Sequence, residues 1–164
     1  MARHLTLLAI DRACAALVAV SPQAYAEQHD LRVEEVADSM SAVIGMTPPA
    51  MLDAGAWGTF FVCDSETRAV VGACGFKAPP DALGSVEIAY FTFPPREGHG
   101  LATAMASELS ARAKASSAVE RVIAHTLPER NASTRVLEKS GFQRDGEIVD
   151  PEDGLIWRWV RSGS

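Results

Sequence analysis

The segment that decides the fold, Ser85–Thr103, has the sequence SVEIAYFTFPPREGHGLAT. Its first part, Ser85–Phe93, is rich in β-branched and aromatic residues and predicts a strand, which the Pro-Pro pair ends. Gly98 and Gly100 follow, and apolar residues recur at helical spacing from Leu101. Because a helix N-terminus carries unpaired amides and partial positive charge, this turn predicts a cradle for a diphosphate. The alternative is a tight strand-to-helix turn that binds no ligand.

Strand and helix patterns alternate on both sides of this segment. On the N-terminal side we predict a strand over Leu5–Ile10, helices that begin at Asp11 and at Ser21-Pro22, a helix over Glu34–Ile44 that Gly45 ends, and strands over Gly58–Cys63 and Ala69–Phe76. On the C-terminal side we predict a strand over Arg121–Thr126, a helix over Asn131–Ser140 capped by Gly141, and a hairpin of Phe142–Val149 and Leu155–Val160. This order predicts one domain over residues 1–164, with a mixed α/β or α+β fold.

The composition limits the kinds of partner. The 164 residues include 15 Lys and Arg against 21 Asp and Glu, a net charge of −6 that argues against a nucleic-acid-binding protein. No apolar stretch reaches the ~18 residues that a membrane span needs, so no membrane partner is expected. Cys14, Cys63 and Cys74 lie in apolar stretches without zinc-like spacing. We therefore predict buried free thiols, no metal site and a cytoplasmic protein.

A second segment, Leu127–Phe142, has the sequence LPERNASTRVLEKSGF and follows the fourth predicted strand. Together with Glu87–Tyr90 and Glu97–Thr103, it resembles the GNAT superfamily of N-acetyltransferases, in particular the branch of the RimJ- and RimL-type ribosomal-protein N-terminal acetyltransferases. The resemblance covers Gly58–Val160 in order and spacing. It implies a central, mostly antiparallel sheet flanked by helices, and acetyl-CoA as the co-substrate.

The resemblance also implies which residues hold acetyl-CoA. The family's phosphate-binding motif, Arg/Gln-x-x-Gly-x-Gly/Ala, falls on Glu97–Ala102, and its two small residues are present. Glu97 replaces the family's Arg or Gln, and the preceding Arg96 is a candidate to supply the positive charge. The residues expected to bind the cofactor are Phe91, Phe93, Arg96, Gly98, His99, Gly100, Leu101, Ala102, Thr103, Asn131 and Ser133.

Two residues are candidates for catalysis. Glu87 lies on a predicted strand where the family often has a carboxylate base, and an amine protonated at neutral pH must lose a proton before it attacks a thioester. Asn131 matches the family's asparagine at the start of the second helix, which hydrogen-bonds the pantetheine arm or a water. A solvated glutamate, a plain N-cap and, for Ser133, a first-turn hydroxyl are the alternatives.

Further expectations concern the remaining chemistry of a thioester reaction. A backbone N–H near Phe91–Phe93 is expected to hold the oxyanion of the tetrahedral intermediate. Many relatives place a tyrosine acid where this chain has Leu137, and Tyr90 is expected to pack. His125 is expected to be structural. Trp157 and Trp159 alternate on the last strand, so they share a face that is either a homodimer contact or a covered part of the sheet.

The sequence therefore favours an acetyl-CoA-dependent N-acetyltransferase that acts on a primary amine. The branch resemblance points to a protein or peptide N-terminus as the acceptor. A small amine, such as an antibiotic, a polyamine or an amino acid, is the second possibility. A third is a non-catalytic module that binds acyl-CoA.

Overall fold

The computed structural model describes residues 4–162, and its elements alternate as the sequence predicts. Within that range the strands are β1 (Leu5–Ala9), β2 (Thr59–Asp64), β3 (Val70–Phe76), β4 (Ser85–Thr92), β5 (Arg121–Thr126), β6 (Gln143–Asp150) and β7 (Gly154–Ser162). The α-helices are α1 (Arg12–Val20), α2 (Pro22–His29), α3 (Ala37–Met46), α4 (Leu101–Lys114) and α5 (Ala132–Lys139). Short 3₁₀ turns cover Pro49–Asp53, Gly55–Trp57 and Pro94–Arg96.

The strands form one sheet in the order β1-β2-β3-β4-β5-β7-β6. Neighbouring strands run antiparallel except for β4 and β5, which are parallel. The expectation of a mixed, mostly antiparallel sheet flanked by helices is confirmed.

Each face of the sheet is covered by a separate group of helices. On one face, Met105 and Leu109 of α4 pack with Val86 and Ile88 of β4. On the other face, α1, α2 and α3 bury a second cluster that includes Phe61 of β2. Full burial of one such side chain contributes about 1.5–3 kcal/mol, so both layers stabilise the central strands that carry the site.

The predicted helix starts are confirmed by their caps. The Asp11 carboxylate accepts from the Cys14 amide at 2.8 Å, and the Ser21 hydroxyl accepts from the Ala24 amide at 3.2 Å. Gly141 ends α5 in the left-handed region at φ +87°. These caps act within a few residues, which is why the sequence alone reveals them.

The bounds predicted for the third helix were wrong at both ends. Glu35 adopts a left-handed conformation at φ +70°, so the helix begins at Ala37 instead of Glu34. Gly45 stays helical, and α3 ends at Met46. Thr47 is extended because it precedes Pro48, whose ring disfavours helical geometry in the residue before it.

The three cysteines are free and buried, as predicted. Over residues 4–162, no helix combines the length and the hydropathy needed to cross a membrane.

Candidate active site

The site begins where the two parallel strands separate. β4 and β5 pair only from Ser85 to Glu87 and from Arg121 to Ile123. Both strands then continue without pairing to each other, β4 as far as Thr92. The separation leaves a gap in the middle of the sheet, and backbone amides that face the gap have no neighbouring strand to bind.

The register of β4 shows which amides face this gap. The Lys77 amide donates to the Glu87 carbonyl at 2.9 Å, the Phe93 amide donates to the Val71 carbonyl at 2.9 Å, and the register between these pairs is unbroken. Because bonding alternates along an antiparallel strand, the amides of Phe91 and Phe93 point to β3. Those of Tyr90 and Thr92 point to the gap. The oxyanion donor expected near Phe91–Phe93 stays a prediction; within that range only the Thr92 amide faces the gap, and the neighbouring Tyr90 amide faces it as well.

A cleft of about 470 Å³ opens on this gap. It lies between β4, the glycine turn, the first turn of α4 and the first turn of α5. Seven of the residues predicted to bind the cofactor line it: Phe91, Gly98, Gly100, Leu101, Ala102, Thr103 and Ser133. Tyr90, Thr92, Glu97, Ala132 and Val136 complete the lining.

The start of α4 has the properties of an anion cradle. Gly98 and Gly100 adopt left-handed conformations, at φ +87° and +73°, which side chains rarely adopt. The first bond of the helix runs from the Ala104 amide to the Gly100 carbonyl, so the amides of residues 101–103 have no acceptor within the helix. A Cβ atom built at Gly100 would meet no atom within 4 Å, so the space beside these amides is open. The residues present therefore fit a diphosphate.

The charged residues of the turn point in different directions. Glu97 lines the cleft. Arg96 is not among the lining residues, and its Nη2 donates to the Glu34 carbonyl at 3.0 Å, which ties the guanidinium to the turn before α3. The cradle is therefore built from backbone amides, and a contact between Arg96 and a phosphate stays a prediction.

Three other predicted cofactor residues lie outside the cleft lining. The Phe93 side chain is fully buried, and His99 is exposed. Asn131 is the N-cap of α5, and its side chain accepts from the Thr134 amide at 3.0 Å in a reciprocal capping box. The structure thus confirms the N-cap role of Asn131, and a contact with the cofactor stays a prediction.

Glu87 lies at the point where β4 and β5 separate, and it is not a solvated glutamate. Its Oε2 accepts from His125 Nδ1 at 2.8 Å and from Lys77 Nζ at 3.0 Å. The side chains of Glu87 and His125 are only 25% and 20% exposed. Since an ionised carboxylate can only accept, Nδ1 carries the proton and a neutral His125 presents a bare Nε2. That Nε2 is buried and has no partner among residues 4–162.

Sequence reasoning did not pair His125 with Glu87 and did not identify Lys77. Glu87 pairs with Ile123 in register, so His125 lies two residues further along β5 and on the same face of the sheet. Lys77 directly follows β3, and its amide already binds the Glu87 carbonyl. Both contacts with Glu87 depend on the order of the strands in the sheet. Only the tertiary structure identifies β5 as the neighbour of β4.

Tyr90 was expected to pack, and it also reaches the cleft. Its ring contacts the core cluster under α4, while its hydroxyl lies 3.4 Å from Ser133 Oγ on α5. Burial raises the pKa of Tyr90, so its phenol stays protonated at neutral pH. Leu137 is fully buried. Tyr90 is therefore the phenol placed at the cleft.

A second cavity, of about 460 Å³, lies on the opposite side of β4 under α3 and the 3₁₀ turn Pro49–Asp53. Lys77 and Ala89 line it. Tyr90 and Phe91 line both this cavity and the first cleft. The two cavities therefore border the same two residues of β4. Neither Glu87 nor His125 lines either cavity, but Lys77, which lines the second one, contacts Glu87.

Other expected features lie away from this meeting point. Trp159 is buried, and its indole donates to Thr126 Oγ1 at 2.9 Å. Arg144 lies 4.3 Å from the ring centroid of Trp157. The chain itself thus covers Trp159, whereas Trp157 is only partly buried, and a homodimer contact at this face stays a prediction. In the part of the chain that the structure describes, no group of three metal-ligating side chains is found.

Comparison with known proteins identifies the family. Residues 4–143 match the acetyltransferase (GNAT) domain family, and the chain therefore belongs to it. An uncharacterized N-acetyltransferase, p20, of Bacillus licheniformis is 30% identical over 93 residues, which cover 57% of this chain and 52% of that protein. The chain thus spans about half the length of the curated relative that it matches.

Solved structures share the fold over nearly the whole chain. RimL, a ribosomal-protein alpha-N-acetyltransferase solved with coenzyme A, has a TM-score of 0.67 and 15% identity, and the match covers 97% of this chain and 94% of that one. An aminoglycoside acetyltransferase solved with coenzyme A and kanamycin has a TM-score of 0.66 and 16% identity, over 97% of this chain and 95% of that one. At these identities the likeness concerns the fold.

Proposed function

We propose that this protein is an N-acetyltransferase that transfers the acetyl group of acetyl-CoA to a primary amine. The observation that carries the proposal is a pair of cavities that share Tyr90 and Phe91 in their lining. One cavity ends in an anion cradle, and the other contains no comparable turn. A transferase for two substrates needs two such spaces that join where the reacting atoms meet.

The cradle holds the cofactor's diphosphate in this proposal. The amides of residues 101–103 donate to the phosphate oxygens, and the helix dipole of α4 favours their negative charge. Bound acetyl-CoA supplies a thioester as the activated acyl group. The amides of Tyr90 and Thr92 then stabilise negative charge on the thioester oxygen, because they are the donors on β4 that face the gap.

Glu87 and His125 act together as the proton acceptor. The bare Nε2 of His125 accepts the proton of the attacking amine through water, and Glu87 holds the ring in the required tautomer. Lys77 balances the carboxylate charge. If Glu87 itself accepts the proton, as its position on the strand first indicated, His125 and Lys77 orient it instead.

Tyr90 donates a proton to the leaving thiolate in this scheme. Its hydroxyl lies on the cofactor side of β4, against Ser133. Burial raises the pKa of Tyr90, which keeps the phenol neutral and able to donate.

The acceptor class is the finer part of the proposal. The branch resemblance and the fold shared with RimL support a protein or peptide N-terminus. The fold shared with the aminoglycoside acetyltransferase supports a small amine. The second cavity, of about 460 Å³, has room for a small amine or for one N-terminal residue.

Turnover with a panel of amines tests the proposal. Purified protein is incubated with acetyl-CoA and each amine, release of the free CoA thiol is followed, and mass spectrometry detects the acetylated product. We expect both signals together for at least one amine. Calorimetric binding of acetyl-CoA without turnover of any amine would instead identify a non-catalytic acyl-CoA-binding module.

A further inference from the structure

The second cavity is lined mostly by apolar residues, which is unusual for a site that accepts a charged amine. Its walls are formed by α3, the following 3₁₀ turn and the strands β2 to β4. The apolar lining residues include Val43, Met46, Pro48, Met51, Phe76 and Phe91. Lys77 is the one charged residue among the described residues that line it.

The part of β4 that lines the cavity is exposed to solvent. Phe91 is 48% exposed and Ala89 is exposed, although β4 lies in the middle of the sheet. Ala89 pairs with Gly75 on β3, so two small residues lie side by side on the sheet surface. Apolar groups left exposed at the centre of a fold are typical of a surface that an apolar ligand covers.

The charges near the cavity do not favour a second positive charge on the ligand. The nearest carboxylate, Glu87, already accepts from Lys77 and His125. Asp150 also lies near Lys77, but its carboxylate accepts from the amides of Glu152 and Asp153 at 2.8 and 3.0 Å within its own turn. A ligand ammonium in the cavity would therefore meet Lys77 and no free carboxylate of the lining.

We infer that the acceptor amine carries an apolar substituent and no second positive charge. This inference rests on the proposed function and narrows it. The apolar substituent fills the space between α3 and β4, and the amine points to the pair formed by Glu87 and His125. Polycationic acceptors are disfavoured, because burying an ammonium without a partner carries a large desolvation cost. The net charge of −6 alone would suit a cationic substrate, but among residues 4–162 no Asp or Glu lines this cavity.

Matched amines test the inference. Hexylamine and hexamethylenediamine have the same chain, but the second carries an additional ammonium. We expect kcat/KM for the diamine to be lower by at least about tenfold. The peptides Leu-Gly-Gly and Lys-Gly-Gly form a second matched pair, which separates an N-terminal residue from a free amine as the source of the apolar group. In each pair that is acetylated, kcat/KM should be higher for the apolar member, which is hexylamine or Leu-Gly-Gly.

A variant at the cavity mouth provides an internal check. Met46 lines the cavity and is 72% exposed, so Met46→Glu places a carboxylate there without disturbing the core. Met46→Glu should improve the diamine relative to hexylamine by about threefold or more, whereas the uncharged Met46→Gln should leave the ratio unchanged.

The outcomes separate the inference from the proposed function. If hexamethylenediamine, spermidine or kanamycin is acetylated as well as hexylamine or better, the inference is wrong and the acetyltransferase function stands. If acetyl-CoA binds but no amine is acetylated, the acetyltransferase function is wrong. Calorimetric titration of the two matched amines into the protein saturated with CoA then decides the inference by itself, since tighter binding of hexylamine supports it and equal binding overturns it.

Discussion

Glu87 receives hydrogen bonds from His125 on β5 and from Lys77, which directly follows β3, and its replacement tests the proton acceptor. Glu87→Gln keeps the size of the side chain but removes its charge and its hold on the tautomer of His125. We expect kcat to fall by about 10²–10⁴-fold, the range typical of a lost general base. Steady-state kinetics with a working acceptor between about pH 6 and about pH 10 measure the effect.

The affinity for acetyl-CoA is the control for this variant. Glu87 does not line the cofactor cleft, so calorimetry should give an unchanged dissociation constant. Glu66→Gln, on the exposed turn between β2 and β3, is a matched substitution that should leave kcat unaltered. If the Glu87→Gln protein keeps nearly full kcat and its pH–rate profile falls at the same acidic pH as that of the wild type, Glu87 has only a structural role.

Tyr90 is the proposed proton donor to the leaving thiolate, and removal of its hydroxyl tests this role. Tyr90→Phe removes the hydroxyl that lies 3.4 Å from Ser133 Oγ and keeps the ring that packs on the core. We expect kcat to fall by about 10-fold or more, since a general acid contributes up to a few orders of magnitude. Because burial raises the pKa of Tyr90, wild-type activity should show no loss from phenol ionisation below the ordinary tyrosine pKa of 10.0. Equal kcat in both proteins would exclude proton donation by Tyr90.

At the scale of elements, the turn before α4 is proposed to hold the diphosphate of acetyl-CoA, and its substitution tests that proposal. Gly100→Asp places a carboxylate beside the amides of residues 101–103, and Gly100→Asn places a neutral group of the same shape there. Asp and Asn both tolerate the left-handed conformation that position 100 requires. We expect acetyl-CoA to bind at least about tenfold more weakly to Gly100→Asp than to Gly100→Asn, because only the former repels the diphosphate. Calorimetry on the two folded variants makes the comparison, and equal affinities would place the diphosphate elsewhere.

The charged residues beside the turn give a further prediction for this element. Glu97 lines the cleft, so Glu97→Gln should strengthen acetyl-CoA binding a few-fold by removing repulsion between like charges. Arg96→Ala should weaken binding by about 0.5–2 kcal/mol if the guanidinium reaches a phosphate. If Arg96 instead keeps its bond to the Glu34 carbonyl, Arg96→Ala should lower the free energy of unfolding and leave binding intact. Calorimetry and urea unfolding separate the two results.

At the scale of the whole molecule, the buried thiols link stability to pH. Burial raises the pKa of Cys14 to about 11 and that of Cys74 to about 12, from an ordinary value of 9.0. Below pH 9 both the folded and the unfolded chain keep these protons, so their contribution to stability is fully present. As the pH rises from 9 towards 12, the unfolded chain loses the protons first, and the free energy of unfolding should fall.

Urea unfolding at about pH 8 and about pH 11 measures this dependence. A variant with Cys14→Ala and Cys74→Ala should be less stable at both pH values, because both side chains are buried, but its stability should fall less between them. An equal fall in the variant and the wild type would show that the thiols are not responsible. Tyr25, whose pKa burial also raises, contributes a loss of the same sign in both proteins.

Much of the fold and part of the site could be predicted because the signals are local. Caps at Asp11, Ser21 and Asn131, and the left-handed Gly141, each depend on a few neighbouring residues. The glycine turn before α4 is also local, so the sequence predicted this turn, and seven of the residues predicted to bind the cofactor line the cleft beside it. The third helix was misplaced because Glu35 takes a left-handed conformation that its residue type does not favour.

The sequence by itself determined the order of the elements, their caps and the glycine turn, because these follow from backbone preferences over a few residues. Only the tertiary structure decided that Glu87 meets His125, 38 residues away, and that Arg96 turns towards Glu34. It also decided which amides of β4 face the gap beside β5 and that the second cavity is mostly apolar. These properties depend on which strands are neighbours and on where β4 and β5 separate. Such contacts are fixed by packing across the sheet, and no local pattern in the sequence encodes them.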